Sequence, residues 1–172
     1  EIIKKILVNS PEIKRFSLLF FDMQAYRLKE GWQENIQTVR NQVFKNIDDL
    51  LLEGATDINT VFETLANTSW INQDKQKIDI FMFSDGHHTW GDINLAKTIN
   101  DFKNKLRFQP RFYCYDFGCG VTGRRLFDIL ATFDGNTFCC YELTDTSKIA
   151  TAHRKAMFHI EKINSQGLED LI

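Results

Sequence analysis

Apolar positions along this chain change their spacing several times, and each change marks an element. The densest run is Ile78 followed by Ile80-Phe81-Met82-Phe83, cut off by Ser84-Asp85-Gly86. A short run that is apolar at every position reads as a strand buried on both faces, as in a parallel sheet. Elsewhere the apolar residues return every three or four positions, which is one face of a helix. Ile36, Val39, Val43, Ile47 and Leu50 predict a helix over 34–52, stopped by Glu53-Gly54-Ala55. Thr56 or Asp57 then caps a second helix whose face is Ile58, Val61, Phe62 and Leu65. Leu95, Ile99, Phe102 and Leu106 mark a third, with Asp92 or Asn94 as its cap.

The ends of the chain read in the same way. Residues 2–8 look like the end of an amphipathic helix, broken by Asn9-Ser10-Pro11. Phe16 to Phe21 predicts a strand, continued past a bend by Asp22-Met23-Gln24-Ala25-Tyr26. Pro110 precedes a strand over 111–117, and a helix follows over 124–133. Asp134-Gly135-Asn136 predicts a tight turn, leading into a strand from Thr137 to Glu142. A last helix starts near Thr146, with Ile149, Ala152, Ala156, Ile160 and Ile163 along one side. Residues 166–172 read as a loose tail. Strands alternate with helices through the second half. The expectation is therefore an α/β, Rossmann-like three-layer sandwich, with a mostly parallel central sheet and helices on both faces. No repeat or linker divides the chain, so residues 1–165 read as a single domain.

Composition narrows the classes of partner. The net charge is -2, which offers no footprint for nucleic acid. No apolar run approaches the roughly 18 residues of a membrane span, so membrane insertion is not expected. Fifteen phenylalanines imply a strongly aromatic core. The chain opens on Glu1 and reads as part of something longer, a larger multidomain chain or complex. The four cysteines, at 114, 119, 139 and 140, follow no zinc spacing. They read as buried, reduced thiols, which suits a cytoplasmic protein.

Two constellations carry candidate chemistry. Gly118-Cys119-Gly120-Val121-Thr122-Gly123 has the form Gly-x-Gly-x-x-Gly between a strand and a helix, with Glu142 at the distance of a ribose-binding acid. With Asp116 in front, it also resembles the first motif of S-adenosylmethionine-dependent methyltransferases. Glycines there would let the backbone approach a ligand at a helix N-terminus. Such fingerprints normally open a fold, however, and little of this sheet remains to follow. The plainer reading is a turn that needs glycine. Ser84 lacks the Gly-x-Ser-x-Gly elbow, and no Ser/His/Asp or Cys/His arrangement is recognisable, so catalysis is not expected.

The second constellation is Gly54-Ala55-Thr56-Asp57 opening a helix, followed by a strand that ends in Ser84-Asp85-Gly86. The order resembles the von Willebrand factor A (VWA) family, also called the integrin I-like domain. Phe16-Ser-Leu-Leu-Phe-Phe-Asp22 is similar to that family's second strand. Tyr113 to Gly118 is similar to a later strand and its glycine turn, and Leu126 to Phe138 to its Leu-x-x-Leu-Ala-x-x-x-Gly-Gly-x-Phe pattern. The resemblance implies a non-catalytic domain that binds another protein. It also implies an adhesion site in which Mg²⁺ (or Mn²⁺) takes hard oxygen ligands from three loops and a partner's carboxylate. Carried over, Thr56 is the threonine ligand and Asp85 the aspartate. The family's Asp-x-Ser-x-Ser loop has no match. In one alignment it and the central first strand lie upstream of Glu1. In a shifted alignment Asp22-Met23-Gln24-Ala25-Tyr26 is its degenerate form, with Asp22 as the surviving ligand. His87, His88 and Trp90 follow Asp85 directly and are expected to touch the partner, since aromatic residues are enriched at binding hot spots.

Overall fold

The computed structural model describes residues 2–50, 54–73, 77–91, 94–106, 110–118 and 124–139. In chain order these form α1 (Ile2–Asn9), β1 (Arg15–Phe16), β2 (Leu19–Phe21), β3 (Ala25–Arg27), β4 (Gln33–Glu34) and α2 (Gln37–Asp48). Then come α3 (Ile58–Asn67), α4 (Ser69–Gln73), β5 (Asp79–Ser84), α5 (Leu95–Lys105), β6 (Arg111–Asp116), α6 (Arg124–Leu130) and β7 (Gly135–Cys139).

The dense apolar run is β5, and it pairs in parallel with β6, Asp79 opposite Arg111 and Ser84 opposite Asp116. β6 pairs in parallel with β7, giving the order β5-β6-β7. The register is pinned at its start by Arg111, whose Nε and Nη2 donate to Asp79 Oδ1 and Oδ2 at 2.7 and 2.9 Å. Alternation then sends side chains to opposite faces. Met82, Phe112 and Cys114 join α3, α5 and α6 in the main core, with Ile58, Phe62, Ile99 and Leu126. Phe81, Phe83, Tyr113 and Tyr115 face the other way, against Ile2 and Ile6 of α1. There the rings stack in register, Phe81 on Tyr113 at 5.3 Å and Phe83 on Tyr115 at 4.7 Å. Offset ring pairs at such spacings add stability beyond the area they bury. A third cluster, Leu7, Phe16 and Val43, fastens α1 and α2 to the first hairpin.

Helix caps follow the side-chain chemistry. Asp57 caps α3, its Oδ1 accepting from Asn59 N–H at 3.0 Å. Asn94 caps α5 by accepting from Lys97 N–H at 3.1 Å. The two predicted caps that fall on these positions are thus in use.

The expected three-layer sandwich around one mostly parallel sheet is not what the described residues form. They form one three-stranded parallel sheet and two antiparallel sheets of two strands each, β1-β4 and β2-β3. The predicted strand Phe16–Phe21 is split for a reason visible in its register. Phe16 pairs with Gln33 and Leu19 with Arg27, so residues 17–18 oppose residues 28–32. The longer side loops out, turning at Gly31, whose φ of 81° suits glycine. Asp22 does not prolong this strand but starts the turn into β3, which returns antiparallel. No described strand joins β2 to β5; an apolar cleft of about 900 Å³ separates them.

Two smaller differences lie at β7 and α4. The predicted turn at Asp134-Gly135-Asn136 is already strand from Gly135, because Phe112 N–H donates to Asp134 O at 2.7 Å and pulls the chain onto β6. α4 was not anticipated. The Gly118–Gly123 turn beyond Gly118, the strand end at 140–142, the last helix and the tail lie outside the described residues.

Two outcomes follow. Gly135 has φ 138°, and a Cβ there would run into the Phe112 backbone. Gly135→Ala should cost at least about 2 kcal/mol in urea unfolding, because neither strain nor clash can relax. Cys114 is buried, and that burial pushes its thiol up to about 12, against a hydrogen bond with Thr137 that lowers it. It should resist iodoacetamide at pH 8 in the folded protein and react once the protein is unfolded.

Candidate functional site

Three separate segments meet at the C-terminal ends of β2 and β5, and backbone hydrogen bonds do most of the tying. Asp57 N–H donates to Asp22 O at 2.8 Å. Thr56 O accepts from Thr89 N–H at 2.9 Å and from Trp90 N–H at 3.1 Å. Thr56 N–H in turn donates to the Thr89 hydroxyl at 2.7 Å. The turn before α3 therefore holds the end of β2 on one side and the loop after β5 on the other. It follows that both strands run toward the same end of the molecule.

His88 adds a side-chain tie. Its Nδ1 accepts from Ile58 N–H at 3.1 Å, satisfying one of the first amides of α3 that have no partner within the helix. An accepting Nδ1 places the imidazole proton on Nε2. That Nε2 is buried and has no hydrogen-bond partner among the described residues. The imidazole is 6% exposed and its Nδ1 lies 3.9 Å from Asp57 Oδ1. His88 is thus a latch rather than a contact surface. Gly91 closes the loop with φ 84°, and the Asp57 carboxylate fills the space where a side chain would stand.

The carboxylates at this end are held in local turns. Asp22 Oδ1 accepts from Gln24 N–H and Asp85 Oδ1 from His87 N–H, each at 3.0 Å. Asp85 is exposed, while Asp22, Thr56 and His87 are half-buried. Tyr26 feels Asp22: its phenol is raised above the ordinary value, by desolvation first and by that negative charge second. All these ligand candidates are hard oxygens. Yet among the described residues no group of three or more His, Cys, Asp or Glu could hold a metal ion. Thr56, Asp85 and Asp22 are brought to one end of the molecule by these hydrogen bonds.

Around these oxygens stand exposed apolar side chains. Trp90 is 59% exposed, as expected from sequence. Met23 at 48% and Phe117 at 42% were not singled out. Met23 sits in the turn after Asp22, and Phe117 N–H donates to Ser84 O at 3.0 Å, which sets it beside the Ser84-Asp85 strand end. The available signal was a large apolar residue directly after an aspartate at a strand end, in Asp22-Met23 and Asp116-Phe117.

The nucleotide-type constellation looks different in place. Asp116 is buried and its Oδ1 accepts from Gly118 N–H at 2.8 Å, so it holds the turn. Gly118 packs against the Asp85 carbonyl, where a Cβ would come within 2.7 Å. Its glycine thus has a packing reason. Gly120 and Glu142 lie outside the described residues.

No protein-family model and no curated protein matches the chain. Solved structures do. An aerotolerance-related membrane protein from Bacteroides fragilis NCTC 9343, crystallised with multiple mutations to serines, is similar with a TM-score of 0.58 at 11% identity. The likeness covers 92% of this chain and 85% of that one. Proximal thread matrix protein 1 from the mussel byssus is similar with a TM-score of 0.58 at 12% identity, over 90% of this chain and 39% of that one. At such identities the likeness shows the fold alone, and it is compatible with a VWA-like arrangement. No helix among the described residues is long and apolar enough to cross a membrane.

Replacing the cap at the centre of this end should separate its two roles. Asp57→Ala removes the α3 cap and should cost about 1 kcal/mol in urea unfolding. Asp57→Asn keeps a side-chain acceptor and should lose only a few tenths of that.

Proposed function

We propose that this chain is a non-catalytic, protein-binding domain of VWA type, which meets its partner with the end that carries Asp22, Thr56, Asp85 and Trp90. The observation that supports this reading most is the exposed apolar set of Met23, Trp90 and Phe117 around two carboxylates, on loops locked to one another by backbone hydrogen bonds. Large exposed side chains on a pre-organised frame are what a binding hot spot requires, since little ordering entropy remains to be lost. The order of Thr56-Asp57 and Ser84-Asp85-Gly86, and the fold shared with the two solved structures, support the VWA part.

A divalent cation is the secondary part of the proposal. Mg²⁺ or Mn²⁺ would take oxygens from Asp85, Thr56 and Asp22, with waters and a partner's carboxylate completing its shell, as suits a hard ion that dehydrates reluctantly. Protein binding in this reading does not depend on it.

The test is affinity capture on the immobilised chain, quantified against a Trp90→Ala, Phe117→Ala double variant of unchanged circular dichroism. Loss of at least about tenfold of a captured partner is expected, the weight of one hot-spot pair. Equal capture by the variant would contradict the proposed surface. Titration calorimetry with Mg²⁺ and Mn²⁺ on wild type and Asp85→Ala decides the metal separately. Heat that disappears in the variant supports the cation, and no heat with wild type removes it while leaving the capture result standing.

A further inference from the structure

The bond that holds His88 exists in one protonation state only. Nδ1 accepts from Ile58 N–H at 3.1 Å, and Nε2 is buried with no hydrogen-bond partner among the described residues. Neutral imidazole has one acceptor and one donor, whereas imidazolium has two donors and no acceptor. Once protonated, the Nδ1–H points at the Ile58 N–H, donor against donor. The new charge also sits on a buried ring whose Nε2–H has nothing to donate to. Among the described residues Asp57 is the carboxylate within ion-pair reach, its Oδ1 3.9 Å from Nδ1. That oxygen already accepts from Asn59 N–H. A ring turned toward Asp57 leaves the Ile58 amide without its acceptor and Nε2–H still without a partner. The other charged groups at this end are committed elsewhere. Asp22 Oδ1 accepts from Gln24 N–H, Asp85 Oδ1 from His87 N–H on the loop itself, and Asp116 Oδ1 of β6 from Gly118 N–H.

Water satisfies both nitrogens of a released ring, while a buried polar group without a partner is costly. The loop also has two places to bend. Gly86 and Gly91, with φ of 72° and 84°, bracket residues 87–90. We propose that His88 is an acid-released latch. Neutral, it holds the loop after β5 to the start of α3. Protonated, it leaves, and the ties from Thr89 and Trp90 to Thr56 loosen with it. The sign follows from the bond. The held loop needs the neutral ring and the released loop takes up the proton, so the held form is lost as pH falls through the range of imidazole titration, from about pH 8 to about pH 5. The consequence for a partner rests on the binding surface proposed above: Trp90 turns from an ordered anchor into one that must be ordered on binding, which weakens capture in acid. The latch itself is read on the chain alone, so the two can fail separately.

The test follows amide protection in the whole 172-residue chain from about pH 7.5 to about pH 5, corrected for the intrinsic pH dependence of exchange, together with the imidazole nitrogen resonances of His88. Protection at Thr89 and Trp90 should fall at least about tenfold, with the midpoint of the His88 titration, while Tyr113 and Cys114 of β6 keep theirs. In His88→Asn, whose Oδ1 can accept from Ile58 N–H without titrating, Thr89 and Trp90 should be equally protected at both ends of the range. Full protection of the wild-type loop at the acid end would overturn the proposal. So would a fall whose midpoint departs from that of His88, or one that persists in His88→Asn. Loss at Tyr113 and Cys114 in step with the loop would overturn it as well, since that is acid unfolding of the whole sheet. If His88→Asn does not fold, coincidence of the two wild-type midpoints decides.

Discussion

The organisation at the loop end depends on the backbone of two residues, Thr56 and Asp57. Their amides and carbonyls reach Asp22 on one side and Thr89 and Trp90 on the other, at 2.7–3.1 Å. Loops far apart in sequence are normally independent, because each must be ordered at its own entropic cost. Here one turn ties two others to itself, and it does so at the start of a helix, where amides lack partners within the helix. Asp57 spends its side chain on that same helix, and His88 caps it from the opposite loop. The result is a rigid end on which Met23, Trp90 and Phe117 can remain exposed.

The parallel sheet supplies the ground beneath that end. Even positions of β5 and β6 enter the helix-covered core, and odd positions stack as ring pairs beneath α1. Because the aromatic stacks are in register, each reinforces the pairing of Phe81 with Tyr113 and of Phe83 with Tyr115. β5 stays paired with β6 up to Ser84, where Phe117 N–H holds its last carbonyl. Among the described residues no strand pairs with the opposite edge of β5, and the cleft lies between it and β2. That asymmetry is what separates this architecture from a single continuous sheet.

Much of this was legible in the chain itself. Continuous apolar runs and three-four spacing located β5, β6, α2, α3, α5 and α6, since burial on both faces or along one stripe leaves those patterns. Capping chemistry narrowed the caps to Thr56 or Asp57 and to Asp92 or Asn94, and Asp57 and Asn94 are the ones in use. The sheet organisation was not legible, because periodicity records burial and not which strands pair. Phe16–Phe21 is apolar enough for one strand, yet five residues facing two in its hairpin divide it into β1 and β2. At the site, Thr56, Asp85 and Asp22 were identifiable by order along the chain and do share one end. His88 was expected to touch a partner, and its bond to the Ile58 amide was not legible because that amide lies thirty positions away in sequence. Met23 and Phe117 were passed over because an exposed apolar residue looks, in sequence, like a buried one.

The central claim is that the Thr56–Asp57 turn locks the end of β2 and the loop after β5 into one unit. Native-state amide exchange at Asp57, Thr89 and Trp90 tests it most directly. All three amides should exchange together and at least about a hundredfold slower than an unstructured loop, because each is held by the same turn. Exchange of Thr89 and Trp90 at the rate of a free loop, with Asp57 still protected, would contradict it.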